Sequence, residues 1–316
     1  MSKSGFNHIL RKFYKNKIII IMYHNFYDEN HKKHTNVGLD ISCFEKQLQY
    51  LRTYYNPISL HELVNYIQNE VPIPENAAVL TFDDGYMNNY TLAFPLLEKY
   101  QIPATIFMTM DFIYNSLWIW VNALEYIISK ASIKHFSISI PDRGLVTFTI
   151  ENEEEKAKVY KQLKEMLKEF HPSMIDNIIS ELKKNLNVKI GYNEVINYQM
   201  LDESTIKKMS SPLVDFGSHT LSHPILTRLN TEEVIHEIKD SKEILERILG
   251  EEVEYFCYPN GDYNEEIVAI VKEHYKAALS TDSGFVDKSS NIFLLPRIAA
   301  KADFDHFVWS LVHPET

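Results

Sequence analysis

The chain is poor in cysteine: only Cys43 and Cys257 occur in 316 residues, far apart in sequence. That spacing offers no disulfide framework and no thiolate metal site, so both are expected to be reduced core residues. Long apolar runs are also missing. No stretch approaches the roughly 18 residues of a membrane span. The apolar residues 18–22 are too few for a signal-peptide core, and no small-residue cleavage site follows them. A cytoplasmic protein is the expectation. Positive charge is in deficit: 32 Lys and Arg against 43 Asp and Glu give a net charge of -11, which argues against general nucleic-acid binding. Internal repeats and low-complexity segments are absent. What remains, 45% hydrophobic and 24% charged, is globular composition with length for a sizeable core. Residues 1–17 are a local exception. They carry Lys3, Arg11, Lys12, Lys15 and Lys17 without an acid, interleaved with Phe6, Ile9, Leu10, Phe13 and Tyr14. They read as a solvated helix, with weak peripheral membrane contact as the alternative.

Taken in order, residues 18–24 (I-I-I-I-M-Y-H) predict a buried strand, followed by a polar loop holding His31 and His34. Ser42 and Glu45 suggest a capping box, and Phe44, Leu48, Leu51 and Tyr55 give one apolar helical face. A short strand at 57–60, a helix at 61–70, a strand ending at Asp83, a helix at 88–100 and a strand at 104–109 follow. Strands alternating with helices imply a parallel sheet or barrel, an α/β fold. Residues 112–200 break the alternation and read as an inserted α+β subdomain within a single catalytic domain spanning 1–316. It opens with Trp118 and Trp120, continues as a hairpin around P-D-R-G, and ends in two amphipathic helices. The alternation resumes at 203, with strands at 213–217, 255–258, 276–280 and 292–298. Asn230 or Thr231 caps a helix that Gly250 stops.

Two motifs carry chemistry. Residues 77–86, A-A-V-L-T-F-D-D-G-Y, read as a buried strand ending in Asp83 and Asp84, with Gly85 letting the chain turn. Two adjacent carboxylates repel, and a metal on one leaves the other free as a base. An ordinary D-D-G turn is the plain alternative. Residues 217–223, G-S-H-T-L-S-H, place His219 and His223 four apart, where one helical turn would bring both to one face and let them chelate a divalent ion. Parallel α/β folds gather strand C-termini at one face. Asp84, His219 and His223 are therefore the expected ligands of one metal ion, which suits Zn²⁺ but also Co²⁺, Ni²⁺ or Fe²⁺.

T-F-D-D-G at 81–85 followed by S-H-T-L-S-H at 218–223 resembles the polysaccharide deacetylase family, the family-4 carbohydrate esterases. The resemblance covers roughly 18–110 and 201–300 but not the insertion. It implies a distorted (β/α)7-type barrel and metal-dependent removal of N-acetyl groups from amino sugars, with Asp83 as general base. The layout is similar to the circularly permuted branch acting on poly-N-acetylglucosamine, in which an N-terminal strand ends in Tyr-His. By that likeness His24 would be the acid, and Arg297, in L-P-R-I, would orient the catalytic aspartate. The stretch Y-P-N-G at 258–261 stands where many members carry an arginine-containing motif, and the Asn260 N–H is the candidate oxyanion donor. Tyr86, Tyr258, Trp118 and Trp120 could stack on sugar faces, core packing being the alternative for each. The partner implied is an N-acetylated carbohydrate; a cytoplasmic location would favour a lipid- or nucleotide-linked precursor. Competing readings are hydrolysis of a non-sugar cyclic amide on the same metal site, a two-His-one-carboxylate iron oxygenase, which leaves Asp83 unexplained, and an inactive sugar-binding module.

Overall fold

The structure, a computed structural model, describes residues 10–29, 38–69, 71–114, 118–191 and 198–314. Seven short strands form one parallel, curled sheet: β1 (Ile19–Tyr23), β2 (Ala77–Phe82), β3 (Ala104–Met108), β4 (Val214–Ser218), β5 (Tyr255–Cys257), β6 (Ala277–Leu279) and β7 (Ile298–Ala299), in the order β6-β5-β4-β3-β2-β1-β7. Asn56–Pro57 adds a short parallel extension beside the start of β2. All six residues of β2 are buried, as a strand covered on both faces requires. The sheet is a half-barrel whose ends approach through residues 292–295: Ala278 N donates to Ile292 O, Leu295 N to Ala278 O and Ser280 N to Leu295 O. The strand expected at 292–298 is thus mostly an irregular strip, with regular pairing to β1 only at Ile298 and Ala299.

Helices connect the strands on the outside: α1 (Ile41–Tyr54), α2 (Leu60–Asn69), α3 (Phe94–Tyr100), α4 (Asp111–Tyr114), α8 (Glu203–Met209), α9 (Thr231–Leu249), α10 (Glu265–His274) and α11 (Phe304–Ser310), with α5 to α7 in the insertion. The cap of α1 is Asp40, which accepts from Ser42 N, and not Ser42 itself. Asp40, two residues earlier, satisfies a free amide of the helix's first turn. Helix α9 carries a reciprocal capping box between Asn230 and Glu233 and ends at Gly250 in the left-handed conformation. Where a helix was expected from Asn88, the chain first makes a π-turn at Asn89–Ala93.

The insertion contains α5 (Trp120–Lys130), an antiparallel hairpin of His135–Ile140 with Gly144–Thr149, α6 (Glu153–Leu167) and α7 (Pro172–Asn185). Its apolar residues form their own cluster, which includes Tyr86 from the barrel and Tyr198 from the returning chain. That return is stitched beside the D-D-G motif: Met87 N donates to Gln199 O, and Leu201 N to Gly85 O. Among the described residues no helix is long and apolar enough to cross a membrane. Residues 1–9 of the basic N-terminal stretch, and His31 and His34, lie outside the described residues. Within the described part, Arg11 lies 4.5 Å from the Tyr54 ring centroid and Phe13 is exposed.

Gly217 sets how closely β4 approaches its neighbours. A Cβ there would lie 2.5 Å from the Phe107 ring and 2.9 Å from Tyr255 O. Gly217→Ala is expected to destabilise the protein by about 1–3 kcal/mol through overpacking. Denaturant unfolding checks this; an unchanged midpoint would show that the strands can give.

Candidate active site

Both motifs end at the same rim, because β2 and β4 flank β3 in parallel and their C-terminal ends lie together. Asp83 N donates to Tyr23 O, which brings the end of β1 and His24 alongside. Asp84 follows with φ of 73°, a left-handed conformation that turns its side chain toward the rim in a way extended backbone would not. After β4 the chain makes no helical turn. Thr220 and His223 have φ of 72° and 57°, and the two histidines meet through an irregular loop. The four-residue spacing brought the rings together as expected, 4.8 Å between centroids, but by a mechanism other than a helix.

That loop is pinned from outside. Glu237 of α9, buried, accepts from Leu221 N at 2.8 Å, Ser222 N at 2.9 Å and Ser222 Oγ at 2.6 Å. One turn later Ser241 Oγ pairs with Ser218 Oγ at 2.7 Å. On the other side His219 N donates to Met108 O, and Met110 N to Thr220 O. Neither Glu237 nor Ser241 was singled out in sequence, since both read only as polar positions on an amphipathic helix.

The ligand set is tight. Asp84 Oδ1 lies 3.6 Å from His219 Nε2 and 3.4 Å from His223 Nε2. Those separations suit donors sharing one ion at about 2.0–2.1 Å. Chemistry supports the same conclusion. His219 Nδ1 lies 2.7 Å from Cys257 O, an acceptor, so Nδ1 carries the proton and Nε2 presents a lone pair toward Asp84. Asp84 Oδ1 is buried with no hydrogen-bond partner. Burial pushes both histidines down to about 4, and the charge of His24 adds to this on His223. Asp84 Oδ1 and His219 Nε2 thus face one point as acceptors, and with His223 in its Nδ1–H form a divalent cation would satisfy all three side chains. Asp83, His219 and Cys257 also come within reach of one another. That set is not available, because Arg297 holds both Asp83 oxygens and burial pushes the Cys257 thiol well up.

Arg297 is fully buried rather than part of a surface pair. Its Nη1 and Nη2 donate to Asp83 Oδ1 and Oδ2 at 2.7 and 2.8 Å, Nε donates to Ser280 O at 2.8 Å, and Nη2 lies 3.0 Å from Cys257 Sγ. Burial alone would raise the Asp83 carboxyl, but the Arg297 guanidinium and the nearby histidines outweigh it and hold Asp83 well below the usual carboxylate range. Cys257 is therefore a core residue, as expected, and also part of the wall behind Asp83. Its place at the end of β5, directly before Y-P-N-G, was the available signal. His24 faces the same rim, with Nε2 3.8 Å from Asp83 Oδ2 and its side chain 44% exposed. Asn89 Nδ2 donates to His24 O at 2.8 Å and fixes that turn. Asn260 follows β5 in a left-handed turn, φ 58°, its side chain donating to Asp262.

The aromatic candidates divide. Tyr258 is completely buried, with its hydroxyl donating to Phe293 O at 3.1 Å, so it offers no face to a sugar. Tyr86 is buried too: its hydroxyl accepts from Asn122 Nδ2 at 2.8 Å and stands beside Asp84. It braces the ligand set instead of stacking on substrate. Both were drawn inward because they follow buried strands. Trp118, packed edge-on against Tyr126 and Tyr198, and the half-buried Trp120 line a cleft that reaches His223.

The full-length protein is expected to bind one divalent ion, measured by calorimetric titration. His219→Ala should abolish this binding, and Glu237→Ala should weaken it about 10–100-fold, the usual cost of losing a supporting contact. Undiminished affinity in His219→Ala would rule out the cradle. Stability of the metal-free protein should fall as pH drops from 6.5 toward about 4, because over that window the unfolded chain protonates histidines that the folded site keeps neutral. Denaturant unfolding at pH 7 and pH 5 reads this, and the His219→Ala/His223→Ala variant should show a shallower fall.

The model of the polysaccharide deacetylase family matches residues 70–278, two thirds of the chain. YxkH of Bacillus subtilis is 21% identical over 284 residues, 89% of this chain and 71% of YxkH. The poly-beta-1,6-N-acetyl-D-glucosamine N-deacetylase of Escherichia coli is 37% identical over 90 residues, which are 28% of this chain and 13% of that enzyme. Among solved structures, the Streptococcus pyogenes deacetylase PplD, in complex with acetate, superposes with a TM-score of 0.61 at 19% identity, covering 95% of this chain and 98% of PplD. With the family model spanning both carboxylates and both histidines of the rim, this chain belongs to the polysaccharide deacetylase family.

Proposed function

We propose that the chain is a metal-dependent hydrolase that removes N-acetyl groups from an N-acetylated amino sugar in a glycan or glycan precursor. One observation carries this reading: a three-donor cradle shares its rim with an ionised carboxylate, Asp83, that has its own arginine and is not needed as a ligand. The E. coli relative, by name an N-deacetylase of poly-N-acetylglucosamine, supports the substrate class. An ion held by Asp84, His219 and His223 would supply Lewis-acid polarisation of the amide carbonyl and make water more acidic, chemistry open to Zn²⁺, Co²⁺, Ni²⁺ or Fe²⁺.

Asp83 acts as general base. Arg297 keeps it ionised and oriented, and it takes a proton as water attacks the amide carbon. The same guanidinium disfavours the protonated form, so Asp83 passes the proton on instead of retaining it. His24, beside Asp83 and open to solvent, donates a proton to the leaving amine. The charge developing on the carbonyl oxygen requires a fixed donor, a role assigned to the Asn260 backbone N–H. Acetate and a free amino sugar result.

Acetate release from N-acetylglucosamine oligomers, with metal content measured in parallel, tests the reading. Asp83→Asn is expected to keep its metal and lose roughly 10²-fold or more in turnover. His24→Ala should also keep the metal, lose turnover, and alter the alkaline limb of the pH–rate profile. Wild-type activity in Asp83→Asn would remove the base assignment. Release of ring-opened product from a cyclic amide, without acetate from any amino sugar, would replace the substrate class.

A further inference from the structure

Tyr86 stands between the two parts of the chain. It directly follows the D-D-G motif, yet its ring belongs to the apolar cluster of the insertion. Several contacts hold it there. Tyr86 forms an isolated antiparallel bridge with Met200 of the returning chain. Met87 N and Leu201 N close the same pairing through Gln199 O and Gly85 O. The hydroxyl accepts from Asn122 Nδ2 at 2.8 Å, and Asn122 lies in the first turn of α5. One turn further along α5, buried Glu125 accepts from the Tyr198 hydroxyl, which ties the helix to that returning chain. Tyr86 and Asn122 are only 3% and 4% exposed, so water is a poor substitute for either.

A phenol has one proton to give. Beside the Tyr86 oxygen stand the Asn122 amide and, within hydrogen-bonding reach, the Asp84 carboxylate. The proton goes to the carboxylate, because a hydrogen bond to an ionised acceptor is about twice as strong as one between neutral groups. The amide N–H then fills an acceptor position of the phenol oxygen. Asp84 Oδ1, the oxygen near both histidines, has no hydrogen-bond partner. The hydroxyl therefore serves Oδ2. We propose that Asn122 and Tyr86 are positioning residues for the metal ligand: the Asn122 amide aims the Tyr86 hydroxyl at Asp84 Oδ2, and this keeps Oδ1 directed at the ion. The inference deepens the metal-dependent reading and rests on it. It makes the insertion part of the metal centre, since a side chain of α5 decides how a ligand at the end of β2 is turned. A carboxylate without that hydrogen bond is free to rotate, and its orientation is then lost as entropy when an ion binds. Partners that orient a ligand in this way typically matter to affinity nearly as much as the ligand itself.

The test titrates the metal-free full chain with Co²⁺ alone, followed by calorimetry and by the visible absorption of the bound ion, which reports its ligand geometry. Tyr86→Phe removes the hydroxyl and keeps the ring in the core. It is expected to weaken Co²⁺ binding about 10–100-fold and to change the absorption spectrum. Asn122→Ala should weaken binding several-fold. The double variant should bind no worse than Tyr86→Phe, because Asn122 acts only through the hydroxyl. Asn122→Leu, of similar volume and without a donor, takes its place if Asn122→Ala does not fold. Unchanged affinity and spectrum in Tyr86→Phe, or losses that multiply in the double variant, overturn the link. Undiminished affinity in the Asn122 variant removes the insertion from the metal centre. A wild-type chain that takes up no Co²⁺ brings down the metal-dependent reading and this inference with it, whereas the other outcomes touch the inference alone.

Discussion

The buried Arg297–Asp83 pair is the interaction on which the rest of the site depends. One guanidinium reaches the ends of three strands, at Asp83 after β2, Cys257 in β5 and Ser280 after β6, from a residue that itself stands just before β7. It lies where the two ends of the half-barrel draw together. Burying both charges is costly, and the cost is offset only because each carboxylate oxygen and three guanidinium nitrogens have partners. Losing one member of such a pair typically destabilises by about 3–5 kcal/mol. The pair therefore fixes the Asp83 carboxylate, and also the register in which the last strand returns to the first.

Around that pair the rim separates two kinds of carboxylate by environment. Asp83 is saturated by cationic donors and kept ionised; Asp84, one residue later, has a buried oxygen with no donor at all. A left-handed residue at Asp84 makes the separation possible, since adjacent side chains on an extended strand would face opposite ways. Strain at Asp84, Thr220 and His223 is held by packing and by the Glu237 hydrogen bonds, which keep the three side chains in one arrangement. Preorganisation of this kind is what electrostatic catalysis needs.

Sequence alone determined a good deal. The alternation of apolar runs with capped amphipathic stretches dictated a parallel α/β architecture, since parallel strands require helical crossovers. The D-D-G and H-x-x-x-H motifs, each after a buried run, marked the two strand ends where Asp84, His219 and His223 meet. The break after residue 112 marked the start of a segment with its own apolar cluster, because its hairpin pattern has period two within a helix-and-strand alternation. These features are local, and local periodicity and turn chemistry report them.

What only tertiary structure decided is whatever depends on neighbours distant in the chain. Arg297 and Cys257 became part of the wall behind Asp83 because β7 and β5 come to the same rim, more than 170 residues from the carboxylate. Tyr86 and Tyr258 went to the interior, although an aromatic after a motif looks the same in sequence whether its ring faces solvent or core. His219 and His223 converged through left-handed turns, because backbone hydrogen bonds to Met108 and Glu237 outweigh the weak helical preference of a short segment. The cleft beside His223 exists only because α7 packs across from it, and no spacing within either segment encodes that distance. Long-range packing decides such features, since each is set by residues whose own local sequence carries no record of the partner.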